Sequence, residues 1–289
     1  MIARQRGLAA TEVLVAMLLS TLIALAAATL LHASNGDFLF NGANTRIDDN
    51  GRFALAIVGQ SLRQAGYRGE PDAGPVAAAP LAVAGRDAAS VAAGAEGMGP
   101  ALPAINGSDV LAVRYAPDAM AGAEGGGAML NCAGFPGVPG EWAWSIFYVA
   151  KASDGVAELR CKYKGQNGWG ADAVMRGVDA FHVLYGIDTD TPRDGVPNLY
   201  LNASGVDARD AALPLAEQAM QPSWRRVASV RVALLLHGER GSRPGTLLAS
   251  YELLPGADPD AVISEANLPA AMRQRTRRLF TATVALRNP

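Results

Sequence analysis

The chain has few of the residues that metal and nucleotide chemistry use most. Its two cysteines, Cys132 and Cys161, form no Cys-x-x-Cys pair, which excludes a zinc knuckle and a thioredoxin-type motif. Its three histidines, His32, His182 and His237, have no metal-ligand spacing and read as structural. There is no Walker A sequence, no His-Glu-x-x-His and no Gly-x-Ser-x-Gly. Gly97-x-Gly99 runs into Pro100 and lacks the later glycine of a dinucleotide loop. Lysine is confined to Lys151, Lys162 and Lys164, so arginine carries nearly all the positive charge, a GC-rich coding bias. The formal net charge of −2 gives no electrostatic case for nucleic acid or for an acidic surface as partner. No catalytic constellation appears, and an enzyme is the weakest reading.

The chain does have a long apolar run. Arg4 and Arg6 are the only charges before Gly7, and from Leu8 to Leu31 the single charge is Glu12. At about 1.5 Å per residue a helix over this stretch spans about 36 Å, enough to cross a hydrocarbon core of about 30 Å. The arginines place the N-terminus in the cytoplasm and the bulk of the chain outside. An ordinary secretory signal is shorter than this. A plain single-pass anchor fits the length and leaves Glu12 unexplained, because a carboxyl group in an apolar span is costly without a partner.

The stretch Arg6-Gly7-Leu8-Ala9-Ala10-Thr11-Glu12-Val13-Leu14-Val15-Ala16-Met17 resembles the class III leader junction of type IV prepilins. That resemblance implies cleavage between Gly7 and Leu8, methylation of the Leu8 amine, and a register role for Glu12 as the fifth mature residue. It departs from the usual pattern at Leu8, where phenylalanine is more common, and at Ala9 and Ala10. The segments Asn50–Leu55 and Leu62–Gly69 resemble the PilW group of minor pilins, as do Val183–Asp190, Val227–Leu236 and Arg278–Asn288. Nothing is recognised between Pro71 and Ala128.

The expected organisation is a leader over 1–7, a helix over 8–66 with its membrane segment at 8–31, and a periplasmic head over 67–289. Phe40, Ala43, Ile47, Ala54, Val58, Leu62 and Ala65 recur at helical steps and form one apolar stripe. Gly36, Gly42, Gly51 and Gly59 weaken the helix and mark a bend or a stretch that melts on packing. Gly66, Gly69 and Pro71 stop it. The Ala/Gly/Pro-rich stretches 71–104 and 118–128 read as long loops or mobile segments. Strands are expected at Val110–Tyr115, Trp144–Val149, Val156–Tyr163, Ala180–Tyr185, Val227–Leu236, Thr246–Leu253 and Leu279–Leu286. The fold class is α+β: one long helix, apolar then amphipathic, packed on an antiparallel sheet, as in pilins.

Cys132 and Cys161 form one structural disulfide in an oxidising compartment, or else stand as two separate buried thiols. Asp188, Asp190 and Asp194, followed by Gly195, begin like a calcium loop of the Asp-x-Asp type; the spacing then departs and no terminal glutamate follows. The alternative is a hairpin turn that uses aspartate for its geometry. No cofactor is expected beyond that calcium candidate. The basic run Arg273, Arg275, Arg277 and Arg278 reads as a solvated segment before the last strand. The resemblance implies a minor pilin that primes a type IV pilus at its tip. Its partners are then other minor pilins, the major pilin, the inner-membrane assembly platform, the prepilin peptidase and a tip adhesin. It sits first in the inner membrane and then on the cell surface. A type II secretion pseudopilin and a membrane-anchored binding protein or adhesin are the alternatives.

Overall fold

The computed structural model describes residues 10–68, 79–117, 129–138, 141–214, 222–243 and 246–288. The chain divides into two compact units, Met1–Arg46 and Ile47–Pro289. Helix α1 (Ala10–Gln64) begins in the first and ends in the second. The compact head therefore includes 47–66 as well as the 67–289 expected from sequence.

Within the second unit, Ile47, Ala54, Val58, Leu62 and Ala65 of α1 are buried, and their steps of seven, four, four and three keep them on one helix face. Phe40 and Ala43 of the expected stripe lie outside the described side chains. The helix runs through its glycines without a break. Two of them serve packing: a Cβ at Gly51 would collide with the Phe280 ring, and one at Gly59 would lie 3.8 Å from Val284 Cγ2. Gly66 ends the helix with φ +71, a left-handed conformation that favours glycine, and a side chain there would strike the Asn288 carbonyl.

The strands are β1 (Val83–Arg86), β2 (Ala89–Ser90), β3 (Leu102–Pro103), β4 (Val110–Tyr115), β5 (Ala143–Lys151), β6 (Ala157–Gly165), β7 (Gly168–Arg176), β8 (Val178–Ile187), β9 (Leu199–Leu201), β10 (Val227–His237), β11 (Ser250–Glu252), β12 (Val262–Ser264) and β13 (Arg277–Ala285). A second helix, α2 (Ala203–Ala211), is capped by the Asn202 side chain, which accepts from the Gly205 amide. One sheet has the order β1-β4-β5-β6-β7 and the other β13-β10-β8-β9, with antiparallel neighbours throughout. Two small ribbons, β2-β3 and β11-β12, complete the head.

Gly177 (φ +78) joins the two sheets. Its amide donates to the Ala157 carbonyl of the first sheet, and its carbonyl accepts from the His237 amide of the second. Period-two alternation then sorts the core. Phe147 and Val149 of β5, Phe181, Val183 and Tyr185 of β8, and Val230, Val232 and Leu234 of β10 share one core with α1. Ala180, Leu184, Ala233 and Leu235 point the other way and are covered by Leu253, Leu254, Ile263 and Leu268 around β11-β12. On the first sheet Ile146 and Tyr148 turn outward beneath Ala89 and Val91. Both faces of each central strand are thus covered, and β8 and β10 read as nearly continuous apolar runs.

Two expectations change. Residues 79–104 are not an unstructured loop; they contain β1, β2 and β3. Ser90 Oγ donates to the Val149 carbonyl (3.1 Å) and Lys162 Nζ to the Ala92 carbonyl (2.7 Å), tying this segment to the sheet. Residues 71–78 and 118–128 lie outside the described residues. The strand expected at Thr246–Leu253 shrinks to the three residues of β11, where Leu253 turns into the core.

Candidate assembly surface

Ala10–His32 is the part of α1 long and apolar enough to cross a membrane, and none of it is buried within the molecule. Leu14, Met17, Leu18, Leu22, Ile23 and Leu30 are all more than half exposed. Three hydroxyls in this stretch are satisfied by their own helix. Ser20, Thr21 and Thr29 donate their hydroxyls to the carbonyls of Ala16, Leu18 and Ala26 at 2.7 to 2.8 Å. Hydroxyls bonded in this way can be carried into an apolar medium, where unsatisfied polar groups are costly. Glu12 is exposed and is the only acidic residue of the stretch, which has no lysine or arginine. The expected processing residues Gly7 and Leu8 lie outside the described residues.

Cys132 and Cys161 are bonded, with Cα atoms 5.7 Å apart and a separation of 29 positions along the chain. Cys161 lies in β6; Cys132 lies in a turn where the Asn131 side chain accepts from the amides of Ala133 and Phe135. The Cys132 amide donates to Ser145 Oγ of β5 at 3.0 Å. The bond therefore ties an irregular segment to two neighbouring strands.

Asp188, Asp190 and Asp194 come together, with one carboxylate oxygen of each within 4.8 Å of the others. Asp188 is buried and its carboxylate is occupied by the loop itself. Its two oxygens accept from the amides of Asp190 (2.9 Å) and Gly195 (2.8 Å). Burial pushes this carboxyl up, but the amides of Gly195, Asp190 and Asp194 outweigh that and hold it below the ordinary carboxylate range. Asn198 donates to Asp190 Oδ2, and the Arg226 guanidinium donates to the carbonyls of Asp188 (2.7 Å) and Asp190 (2.6 Å). A fixed cation thus sits on carbonyls that a metal would also seek. The three carboxylates belong to a turn built by side-chain-to-backbone bonds.

One charged cluster was not visible in the sequence. Asp179 of β8, His237 of β10 and Arg277 of β13 meet at one end of the second sheet. His237 Nδ1 lies 2.9 Å from Asp179 Oδ1, and Arg277 donates to Asp179 Oδ2 (2.7 Å) and to Glu265 Oε1 (2.6 Å). Glu265 also accepts from Arg243. Burial pushes both carboxyls up. His237 and Arg277 reverse that for Asp179, and the Ala249 amide with Arg243 and Arg277 reverses it for Glu265, so both lie below their ordinary values.

The basic run is largely structural, and of its four arginines only Arg278 is exposed. Arg277 is buried in this cluster, and Arg278 pairs with Asp48 of α1 through 2.7 and 2.8 Å contacts. Arg273 and Arg275 donate to backbone carbonyls at Leu268, Ala266, Ala271 and Gly238. The sequence signal was present in Asp179, an acidic residue inside an otherwise apolar strand; its partners lie too far along the chain for spacing to reveal them. His182 is also buried, with Nδ1 3.4 Å from Asp109. His32 is exposed on α1.

Residues 146–288 match the family model described as Type IV Pilus-assembly protein W. Among solved structures, a type IV-like pilin from Thermus thermophilus is similar at 16% identity with a TM-score of 0.41, over 84% of this chain and 98% of that one. No curated protein matches. The matched region runs from β5 through β13, and over it the chain is similar to the PilW family of type IV pilus-assembly proteins, which supports a role connected to the pilus.

Proposed function

We propose that the chain is a minor pilin that starts type IV pilus filaments at or near the tip. The observation that carries this is the helix Ala10–His32: apolar enough to cross a membrane, unburied, and with one carboxylate, Glu12, near its beginning. A free-standing anchor does not need that carboxylate. A subunit that leaves the lipid to pack against other helices does.

The steps are those that the prepilin resemblance implies. Arg4 and Arg6 hold the leader 1–7 in the cytoplasm, and prepilin peptidase cuts between Gly7 and Leu8. The Leu8 amine is then methylated. Glu12 lies four residues on, about 6 Å along a helix. In the filament the cationic amine of one subunit meets the Glu12 carboxylate of a neighbour. The pair offsets the desolvation of both charges and fixes axial register, whereas either charge alone would be strongly disfavoured. The helix spans the inner membrane once, with the head in the periplasm, until assembly replaces lipid by other helices. Partners on this reading are other minor pilins, the major pilin, the assembly platform, the peptidase and a tip adhesin. The role is structural and requires no cofactor.

The test is cross-linking in native membranes, followed by purification of the full chain and identification of what comes with it. Recovery of minor and major pilins is expected. Recovery of type II secretion components in their place would make the chain a pseudopilin and overturn the proposal.

A further inference from the structure

The edge of the second sheet differs from the other sheet edges. Strand β9, at the opposite edge, has three residues, and β1, at one edge of the first sheet, has four. Strand β7 is long but carries Asp172, Arg176 and two glycines, and its pairing with β6 is bulged. Short strands, charges and bulges are the usual guards against edge pairing. Strand β13 has none of them between Leu279 and Ala285: no charge, no proline, and an unbroken nine-residue register with β10.

Which backbone groups lie open follows from the ladder. The Leu286 amide donates to the Ala228 carbonyl and the Gly238 amide to the Thr276 carbonyl. In an antiparallel pair the bonded residues alternate, so positions 278, 280, 282 and 284 bond β10. The N–H and C=O groups of Leu279, Thr281, Thr283 and Ala285 then point away from the sheet. These four side chains are exposed, and among the described residues no backbone bond to the four groups is formed from that side.

The neighbouring surface sets the chemistry of an occupant. On the inner side, β13 lies along α1, with Phe280 at Gly51, Val284 at Gly59 and Arg278 paired to Asp48. The α1 stripe through 48, 52, 55, 59 and 63 borders this edge. It presents half-buried Leu55 between exposed Arg52 and Arg63. A second copy is a poor occupant, because its own segment Leu279–Ala285 offers no acidic side chain to Arg52 and Arg63. We infer that β13 receives an extended strand of a different polypeptide, one that alternates β-branched with acidic residues, as an added strand of the second sheet. This surface is separate from the membrane helix and does not depend on its reading.

The test uses the full chain in detergent micelles and two synthetic peptides of about ten residues, alternating valine with glutamate or valine with lysine. Amide hydrogen exchange should slow by about tenfold or more at Leu279, Thr281, Thr283 and Ala285 with the glutamate peptide, and stay unchanged at 280, 282 and 284, which are already bonded. Thr281→Pro removes an outward N–H and no β10 bond, so it should weaken binding about tenfold while the unfolding midpoint holds. The double variant Arg52→Glu/Arg63→Glu, distant from the ladder, should transfer the preference to the lysine peptide. Unchanged exchange at the four odd positions would overturn the inference. So would wild-type peptide affinity in Thr281→Pro, or a homodimer of the chain in micelles that Thr281→Pro abolishes.

Discussion

The two units of the chain treat the same kinds of side chain in opposite ways. In Ala10–His32, leucine, isoleucine and methionine face outward and nothing within the molecule covers them. In Ile47–Pro289, Leu62, Leu111, Phe147, Phe181 and Leu234 are fully enclosed. The treatment of charge also differs. The head buries Asp179, Glu265 and Arg277 against one another, while the apolar helix carries its one carboxylate, Glu12, in an exposed position. The head thus encloses its own core, whereas the apolar stretch of the helix buries none of its side chains.

The largest test of this contrast is Arg277→Met. It leaves Asp179 and Glu265 buried without their shared cation, and urea unfolding of the head should show a loss of about 3–5 kcal/mol. A matched pair of truncations comes next. Leu62→Ala, in the closed core, should cost about 2–5 kcal/mol. Leu18→Ala, on the outward-facing helix, should shift head stability in detergent by no more than about 0.5 kcal/mol. Equal effects would erase the distinction. Reducing the Cys132–Cys161 bond should cost about 2–4 kcal/mol, read as a lower thermal midpoint.

Acid should act on the head through its buried carboxylates. Asp179, Asp188 and Glu265 are held below their ordinary values, so on acidification the unfolded chain takes up protons before the folded one. The stability they contribute is complete above about pH 4–5 and falls as the pH drops through their folded values. A urea midpoint that is level near neutrality and declines below about pH 4 is the expected profile. The smallest expected effect is that of calcium. The Asp188 loop is satisfied by its own amides and Arg226, so millimolar calcium should leave the thermal midpoint unchanged; a rise that Asp190→Ala abolishes would reverse this reading.

Where apolar alternation was strong, the sequence located the strands well. Strand β4 matches its expected limits, and the ends of β5, β6, β8, β10 and β13 lie within two residues of theirs. Strand β7 was missed because Gly168, Gly170 and Asp172 interrupt its pattern, as suits an exposed edge. Helix α2 was missed because it is nine residues long and only Ala203 and Val206 are buried, although Asn202 was a readable cap. The glycines of α1 suggested weakness when read one at a time; two of them, Gly51 and Gly59, lie where β13 approaches the helix. The ion cluster could not be read locally, since Asp179 and Arg277 lie 98 residues apart and meet only through the β8-β10-β13 order.

The central claim rests on the helix and its leader, and the mass of the mature N-terminus tests it most directly. Chain purified from native membranes should begin at Leu8 with a methylated amine and lack residues 1–7. An intact Met1, or a start near Ser34, would contradict it.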